Sequence, residues 1–252
     1  MSSLPVVVLC GGRGTRAHPL TVDVPKPLLP VGRHPVLRHV LEVYARQGHR
    51  RFLLAAGFRS DAVRAFATGL PGDWSVDVLD TGEDTGTGDR LRQCAEVLDG
   101  AFFATYGDGV GDVDLAALLD THERCGGAAT LTAVPLRSQY GTVETDDAGR
   151  VAAFREKPVL EGHWVNAGFL VLEPGALDAT AGPDLERDVL PALSRAGLLY
   201  VYRHGGFWMS VDTHKDLVEM RRLAQEEDEA PWLRCPERAS SSPEPRGSSG
   251  PT

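Results

Sequence analysis

The strongest constraint on the fold is a short apolar run that ends abruptly in glycine near the start of the chain. Residues 6–9 are Val-Val-Val-Leu, a β-branched run without polar alternation, which is typical of a strand buried on both faces of a parallel sheet. Gly11, Gly12 and Gly14 follow closely. Because glycine lacks a Cβ and tolerates positive φ, successive backbone N–H groups in such a loop can converge on an anion. The segment therefore predicts a buried strand with an anion site at its end.

Positively charged side chains accompany this glycine loop. Arg13 and Arg16 lie within or beside it, and Lys26 follows between Pro25 and Pro27, which we expect to hold the lysine backbone extended. Fixed positive charge next to converging N–H groups indicates a phosphate ligand.

Two common glycine motifs fit this segment poorly. A P-loop requires a Lys-Ser or Lys-Thr pair after the glycines, and the chain has neither there. A dinucleotide fingerprint survives in a variant form with Ala17 at the third glycine position, but Pro19 argues against it because proline would disturb the helix that receives the pyrophosphate. A plain glycine turn between a strand and a helix is the structural alternative.

The glycine loop and the Pro-Lys-Pro segment resemble the N-terminal signature of the sugar-1-phosphate nucleotidylyltransferases, enzymes that join a nucleoside triphosphate to a sugar phosphate and release pyrophosphate. Four later motifs resemble the glucose-1-phosphate cytidylyltransferase branch of that family. They are Leu-Asp-Thr-Gly at 79–82, Thr-Gly-Asp-Arg-Leu at 87–91, Thr-Tyr-Gly-Asp-Gly-Val at 105–110, and Gly-Phe-Trp to Asp-Thr at 206–213. The resemblance covers about residues 4 to 222, and the motifs recur in the family's order.

Strand and helix patterns alternate along the chain as in a parallel sheet. Strands are predicted at 52–56, 75–79 and 102–106, with helices at 35–47, 61–66, 88–98 and 115–125, and shorter strands at 130–135, 143–145, 151–154 and 169–172. The resemblance implies the same fold class: α/β, with a Rossmann-like mixed, mainly parallel sheet flanked by helices (the nucleotide-diphospho-sugar transferase fold) and small antiparallel additions in the second half.

The domain organisation follows from composition. Residues 1–229 are predicted to form one folded domain, because 42% of the 252 residues are hydrophobic and a chain of this length can bury a substantial core. The resemblance implies that this is the nucleotidylyltransferase domain. Residues 230–252 are rich in Pro, Ser and Gly and are predicted to be a disordered tail. The exception to this predicted disorder is the Pro-Trp-Leu segment at 231–233. It could pack against the domain, because burial of a tryptophan side chain is favourable.

Charge and cysteine content narrow the functional classes. A net charge of −9 opposes binding to nucleic acid, which normally requires a basic face. No stretch approaches the length of a membrane span and no export leader is evident, so no membrane partner is expected. The four cysteines are scattered, which favours reduced thiols in a cytoplasmic protein. Self-association into a homo-oligomer is left open.

The nucleotide and metal side of the predicted site begins with Asp108. It follows an apolar strand and is flanked by Gly107 and Gly109, a setting in which Mg²⁺ and a triphosphate can approach closely; a turn with a solvated aspartate is the alternative. The resemblance adds Asp212 as a second Mg²⁺ ligand. Catalytic roles are assigned to Arg16, Lys26 and Asp108. The predicted nucleotide-binding residues are Leu9, Gly11, Gly12, Gly14, Thr15, Arg16, Lys26, Thr81, Thr87, Gly88, Tyr106 and Gly107.

The acceptor side is assigned mainly through the resemblance. Glu156 and Lys157 resemble the family's Glu-Lys-Pro, in which the glutamate accepts sugar hydroxyls and the lysine meets the sugar phosphate. Asn166 and Gly141 complete the predicted sugar-phosphate-binding residues. An exposed ion pair is the alternative for Glu156 and Lys157. Against it, only three of the 26 basic residues are lysines, and Lys26 and Lys157 are two of them.

The resulting functional prediction is transfer of a nucleoside monophosphate from a nucleoside triphosphate, CTP being favoured, to a sugar 1-phosphate, glucose 1-phosphate being favoured. The attack is expected to be direct and in line, with no general base. The alternatives are the same reaction with UTP, dTTP or GTP, or with an unusual sugar or cyclitol phosphate. A non-catalytic nucleotide-binding regulator and a dinucleotide-dependent dehydrogenase are less favoured.

Overall fold

The computed structural model describes residues 3–14, 20–226 and 229–234, and includes the backbone but not the side chain of Glu226. The strands are β1 (Val6–Leu9), β2 (Pro30–Val31), β3 (His34–Pro35), β4 (Arg51–Ala56), β5 (Ser75–Asp80), β6 (Phe102–Tyr106), β7 (Gly109–Gly111), β8 (Ala129–Arg137), β9 (Thr142–Thr145), β10 (Val151–Arg155), β11 (Val159–Leu172), β12 (Leu199–Arg203) and β13 (Trp208–Ser210). The α-helices are α1 (Val36–Arg46), α2 (Ser60–Ala67), α3 (Thr87–Ala95), α4 (Leu115–Cys125), α5 (Leu190–Arg195) and α6 (His214–Glu226).

A seven-stranded sheet in the order β12-β8-β11-β6-β1-β4-β5 forms the centre of the protein. β1 pairs in parallel with β4 and β6, β4 with β5, and β12 with β8. β11 runs antiparallel to both of its neighbours, β6 and β8. The predicted mixed, mainly parallel α/β fold is confirmed, with an antiparallel strand inside the main sheet as well as in small additions.

Successive residues of β1 face two different cores, because strand side chains alternate between the faces of a sheet. Val6 and Val8 pack in the cluster that contains the buried residues of α1, α4 and α6. Val7 and Leu9 pack in the cluster that contains those of α3 and α5. Helices therefore cover both faces, which explains the continuous apolar run of this strand.

The antiparallel additions occur mainly in the second half, as expected. β9 and β10 form a separate hairpin, and β13 pairs with β7. No element was expected beyond residue 172, yet β12, α5, β13 and α6 all lie there. Helix α6 buries Leu217 and Met220 completely, but most of its other residues are polar or charged, so its apolar stripe is narrow and its sequence signal is weak.

Residues 231–233 pack against the domain, which is the exception that the predicted tail allowed. Trp232 is 1% exposed, and its ring centroid lies 5.4 Å from that of His39 and 6.0 Å from that of Phe207. Burial of so large an apolar group offsets the entropy lost when a short segment is ordered. The segment Pro231–Leu233 is docked, while the predicted disorder of residues 235–252 falls outside the described residues.

Cys10, Cys94 and Cys125 are free thiols, and Cys235 lies outside the described residues. None of the described helices is long and apolar enough to cross a membrane.

Candidate active site

The glycine loop lies at the carboxyl end of β1, where the sequence places it. The carbonyl of Gly11 accepts a hydrogen bond from the backbone N–H of Phe58 (3.0 Å). A Cβ on Gly11 would lie 2.0 Å from a guanidinium nitrogen of Arg90, whereas a Cβ on Gly12 would meet nothing within 4 Å. Gly11 is therefore required by packing inside the protein, and Gly12 faces open space that a ligand can fill.

Arg90 holds three backbone segments together beneath this loop. Its Nη2 donates to the carbonyls of Gly11 (3.2 Å) and Glu83 (3.0 Å). Its Nη1 donates to the carbonyl of Ala56 (3.1 Å) and to Oγ1 of Thr81 (2.5 Å). Arg90 is 3% exposed, and burial lowers the pKa of its guanidinium. The glycine loop, the end of β4 and the loop after β5 are thus tied to one buried cation.

Arg90 is not among the predicted site residues. It belongs to the motif at 87–91, but the motif did not assign it a role of its own. A signal was nevertheless present in the sequence. Arg90 falls on the same helical face as Leu91 and Cys94, both of which are fully buried. A guanidinium on an apolar helix face must find oxygen partners inside the protein.

Lys26 joins the two predicted Mg²⁺ ligands. Its Nζ lies 2.6 Å from Oδ2 of Asp108 and 3.0 Å from Oδ1 of Asp212. The lysine side chain is 9% exposed, against 25% for Asp108 and 38% for Asp212. The structure therefore brings together three residues that come from distant parts of the chain.

The backbone at Lys26 is not extended, contrary to the expectation from its flanking prolines. Lys26–Leu28 form a 3₁₀ turn, in which Leu28 N donates to Pro25 O (2.8 Å) and Leu29 N to Lys26 O (3.1 Å). The second proline fits the turn because its missing N–H is not needed at a helical start. Gly14, at φ +62°, packs against the turn, since a Cβ there would lie 2.8 Å from Cβ of Lys26.

A two-stranded ribbon places Asp108 beside Asp212. β7 and β13 pair so that Gly109 lies opposite Ser210, and Val211 N donates to the carbonyl of Asp108 (2.9 Å). Oγ of Ser210 also donates to Oδ2 of Asp212 (2.9 Å). The ribbon thus carries one carboxylate just before β7 and the other just after β13.

The electrostatics of this cluster favour a charged lysine. Burial alone lowers the pKa of Lys26, but the carboxylates of Asp108 and Asp212 outweigh it and raise the pKa above its ordinary value. The ammonium form is therefore strongly favoured at neutral pH.

These elements enclose a cavity of about 410 Å³. Its walls include the glycine loop, Lys26, Asp108, Tyr106, Arg90, Asp184 and the segment 83–87. The predicted site residues that line it are Leu9, Gly11, Gly12, Gly14, Lys26, Thr87, Tyr106 and Asp108.

Other predicted nucleotide residues lie behind the walls. Thr81 is 4% exposed and donates from Oγ1 to the carbonyl of Ala56 (2.7 Å). Gly88 donates its N–H to the carbonyl of Pro183 (2.8 Å), which a Cβ on Gly88 would approach to 3.0 Å. Gly107 donates to the carbonyl of Leu9 (3.0 Å). The small residues here serve close backbone packing, in addition to any contact with a base.

The segment 83–87 is held by side-chain contacts at both of its ends. Nη2 of Arg13 lies 2.7 Å from Oε1 of Glu83, so part of the positive charge predicted beside the glycine loop is already paired. On the other side, Oγ1 of Thr87 donates to Oε2 of Glu186 (2.9 Å), and the hydroxyl of Tyr106 donates to the same carboxylate.

Asn166 lies next to Tyr106, which is a residue of the cavity wall. Oδ1 of Asn166 accepts from Gly168 N (2.9 Å). Gly168 has φ +78°, and a Cβ there would lie 2.3 Å from the ring of Tyr106, so both the backbone angle and the close ring require glycine.

Glu156, Lys157 and Gly141 lie apart from the walls of this cavity, next to the β9–β10 hairpin. Nζ of Lys157 is 3.9 Å from Oε1 of Glu156, with side-chain exposures of 49% and 63%. A Cβ on Gly141 would come within 2.4 Å of the ring of Phe154 and 3.1 Å of Oε2 of Glu156. Gly141 therefore allows the hairpin to close against Glu156.

The donor set at Asp108 and Asp212 fits a magnesium ion. Mg²⁺ in phosphate-transfer sites takes one or two carboxylates together with substrate phosphates and water. The ammonium group of Lys26 shows that one cation can contact both carboxylates. Among the described residues, no group of three or more His, Cys, Asp or Glu could hold a metal ion by itself.

Two predicted residues, Thr15 and Arg16, lie outside the described part of the chain. Their assigned roles in nucleotide binding and catalysis stay predictions.

Comparisons with known proteins identify the family. The model of the family described as Nucleotidyl transferase matches residues 5–227, and the chain belongs to that family, as its motifs predicted. A probable glucose-1-phosphate cytidylyltransferase of Bacillus subtilis is 34% identical over 245 residues, covering 87% of this chain and 96% of the relative. A glucose-1-phosphate cytidylyltransferase of Salmonella typhi is 33% identical over 255 residues, covering 91% and 98%.

More distant relatives share the same chemistry class or the fold. A mannose-1-phosphate guanyltransferase of Candida albicans is 31% identical over 224 residues, covering 84% of this chain and 62% of the relative. Among solved structures, HddC from Yersinia pseudotuberculosis aligns with a TM-score of 0.69 at 21% identity over 87% of this chain and 98% of its own. That likeness supports the fold.

Proposed function

We propose that the protein transfers a cytidylyl group from CTP to glucose 1-phosphate, giving CDP-glucose and releasing pyrophosphate. Nucleotidyl transfer to a sugar 1-phosphate is supported by the family and by the motifs. The choice of CTP and glucose 1-phosphate is supported by the names of the two bacterial relatives. The observation that carries the proposal is the convergence of the glycine loop, Lys26 and Asp108 at one cavity, with Asp212 paired to the same lysine.

The cavity residues bind and orient the triphosphate. Gly12 leaves its side of the loop open to a ligand, and Lys26 lines the same cavity. Charge-assisted hydrogen bonds from these donors stabilise phosphate oxygens, and they are most valuable where negative charge develops on the leaving pyrophosphate.

Asp108 and Asp212 would hold Mg²⁺ at the edge of this cavity. When bound, the ion would neutralise charge on the phosphate oxygens of the nucleotide.

The sugar 1-phosphate has to be positioned for attack, but it does not need a general base to make it nucleophilic. The second pKa of a phosphate monoester is about 6, so a sugar 1-phosphate is mostly a dianion at neutral pH and is already nucleophilic. Lys157 would pair with that phosphate while Glu156 and Asn166 accept or donate hydrogen bonds to the sugar. The phosphate oxygen then attacks the α-phosphorus in line with the departing pyrophosphate, with no covalent enzyme intermediate.

Guanylyl transfer to mannose 1-phosphate is the second candidate, because the family relatives include guanyltransferases of that kind. The two reactions share phosphate contacts and differ at the base and at the sugar.

A matrix of four nucleotides against two acceptors tests the proposal. Pyrophosphate release should be fastest with CTP and glucose 1-phosphate, compared with UTP, dTTP and GTP and with mannose 1-phosphate. Faster release with GTP and mannose 1-phosphate would favour the second candidate. Absence of release from every pair, with the protein folded by circular dichroism, would support a non-catalytic nucleotide-binding protein instead.

A further inference from the structure

We propose that Arg137 is a positioning residue for Lys157. Its guanidinium holds the Lys157 carbonyl and so keeps the lysine backbone in the left-handed conformation from which the ammonium group meets the acceptor phosphate. The inference rests on the proposed function for the ligand of Lys157, and it gives a role to a residue that has none in the predicted site.

Lys157 has an unusual backbone conformation. Its φ is +47°, and among the described residues other than glycine only Arg59, at +50°, shares a positive φ. For a residue with a Cβ the left-handed region is unfavourable, because the Cβ comes too close to a backbone carbonyl oxygen. Such a conformation persists only where the surrounding structure holds it, and it is found most often at functional sites. The conformation of Lys157 therefore requires contacts that fix the backbone.

The residue after Lys157 limits the alternatives. Pro158 disfavours the right-handed helical region for the residue before it, so the extended region is the conformation that Lys157 adopts when it is not held. A change from the left-handed to the extended region turns both the Cα–Cβ bond and the carbonyl of Lys157 relative to β10 and β11. The direction of the ammonium group therefore depends on which of the two conformations the backbone adopts.

The end of β8 and the residue after it supply contacts that fit the left-handed conformation. Nη1 of Arg137 donates to the carbonyl of Lys157 (3.3 Å), and Ser138 N donates to the carbonyl of Pro158 (2.9 Å). Arg137 also lies opposite Val159 in the pairing of β8 with β11. Two successive carbonyls are thus held by two successive residues of the facing segment, one through a side chain and one through the backbone.

The side-chain contact is the one that acts on Lys157 itself. No carboxylate among the described residues forms an ion pair with Arg137, and a charged guanidinium is a strong donor to a carbonyl. The contact is made to the main chain, so it leaves the ammonium group of Lys157, whose side chain is 49% exposed, accessible to a ligand. Because Arg137 and a phosphate use different atoms of Lys157, the same contact serves with and without a bound acceptor.

A cycle of substitutions at Lys157 and Arg137 is the first test, and it needs no ligand. Thermal unfolding is measured for Lys157→Gly and Lys157→Ala, each with Arg137 intact and with Arg137→Ala. With Arg137 intact, we expect Tm of Lys157→Gly to exceed that of Lys157→Ala by about 2 to 4 °C, because glycine adopts a positive φ without strain. With Arg137→Ala, the difference should disappear or change sign, because glycine is the less favourable of the two residues in an extended backbone.

Arg150→Ala is the matched control for this cycle. It removes an exposed arginine from the β9–β10 hairpin, where the side chain pairs with Asp146, and it should leave the Tm difference between the two Lys157 variants unchanged. A Tm difference that survives Arg137→Ala would overturn the proposal. Equal Tm values for Lys157→Gly and Lys157→Ala with Arg137 intact would overturn it as well.

Steady-state kinetics provide the second test and separate positioning from direct contact with the substrate. Arg137→Ala should lower kcat/KM for glucose 1-phosphate about three- to tenfold, mainly through KM, which is the range for the loss of one hydrogen bond. Arg137→Lys should restore part of this loss. In the Lys157→Ala protein, Arg137→Ala should have no further effect, since a positioning residue acts only through the lysine. Losses that multiply would show that Arg137 meets the substrate itself and would overturn the assignment.

The outcomes separate this inference from the proposed function. The Tm cycle uses neither nucleotide nor sugar phosphate, so a glycine advantage that depends on Arg137 supports the hold on the Lys157 backbone even if no substrate pair releases pyrophosphate. Active turnover together with a glycine advantage that is independent of Arg137 would remove this inference and leave the proposed function standing.

Discussion

The nucleotide side and the acceptor side of the proposed site are held in different ways. On the nucleotide side, Lys26 is 7% exposed and Arg90 is 3% exposed, and each has partners from several segments of the chain. On the acceptor side, Glu156 and Lys157 are about half exposed or more and lie 3.9 Å apart. The first side is organised by the protein before any ligand arrives, whereas the second depends on the ligand for its strongest contacts.

This difference separates stability from activity. A charge removed from the buried side leaves its former partners without compensation inside the protein. A charge removed from the exposed side leaves its partner in water, where an ion pair contributes little to stability. Substitutions on the two sides should therefore be distinguishable by measuring unfolding and turnover together.

The largest effect is expected from Asp108→Asn on the buried side. Turnover should fall by about a thousandfold, or about 4 kcal/mol, because the substitution removes a charge from the group that contacts Lys26 and would hold the metal. Steady-state pyrophosphate release is the measurement, with circular dichroism to follow the fold. Asp120→Asn on α4, where the carboxylate is 72% exposed, is the matched control and should keep wild-type rates. Retention of more than about a tenth of the activity by Asp108→Asn would argue against a principal metal ligand.

Arg90→Ala should lower the free energy of unfolding by about 3 kcal/mol, since carbonyls of Gly11, Ala56 and Glu83 lose a buried donor. Chemical denaturation measures the loss, and Arg90→Lys should recover part of it. Arg124→Ala removes an arginine that is 66% exposed and should cost less than about 1 kcal/mol. Similar losses in the free energy of unfolding for Arg90→Ala and Arg124→Ala would contradict the expected difference between buried and exposed charges.

Lys157→Ala tests the exposed side. We expect kcat/KM for glucose 1-phosphate to fall about ten- to a hundredfold, the range of a charge-assisted hydrogen bond, with little change in the free energy of unfolding. CTP affinity, measured by calorimetry with Mg²⁺, should stay within a few-fold of wild type, and Lys157→Arg should restore only part of the loss because the guanidinium is broader. Lys215→Ala is the control. A collapse of CTP affinity with an unchanged KM for the sugar phosphate would show that the two sides have been assigned in reverse.

The smallest effect is expected from removal of residues 235–252. Their Pro, Ser and Gly-rich composition has almost no apolar group to bury, so Tm should change by less than about 2 °C. Removal from Ala230 onward should instead lower Tm by several degrees, because it also removes Trp232, which contacts Phe207 just before β13. Equal Tm values for the two truncations would show that the buried ring of Trp232 does not stabilise the domain.

Local patterns accounted for much of the first half of the fold. The strand at 6–9 could be predicted from its continuous apolar run, and the helices after it from their periodicity of 3.6 residues. Both patterns are visible within a few neighbouring residues. The same patterns failed beyond residue 172, where α6 has a narrow apolar stripe and β13 is only three residues long. Trp232 was predicted to lie in a disordered tail because the residues around it are mostly polar. A single tryptophan changes the average composition of such a segment very little.

The sequence by itself determined the chemical types at the site: a glycine loop after a buried strand, a rare lysine between prolines, and aspartates in recognisable motifs. Only the tertiary structure decided which of them meet. Lys26 and Asp212 are 186 residues apart in the chain, and their contact depends on the pairing of β7 with β13 and on a 3₁₀ turn that the prolines did not predict. Arg90 became a central residue for the same reason. The energy of a buried charge is set by the oxygens that surround it in space, and no local periodicity records where those oxygens come from.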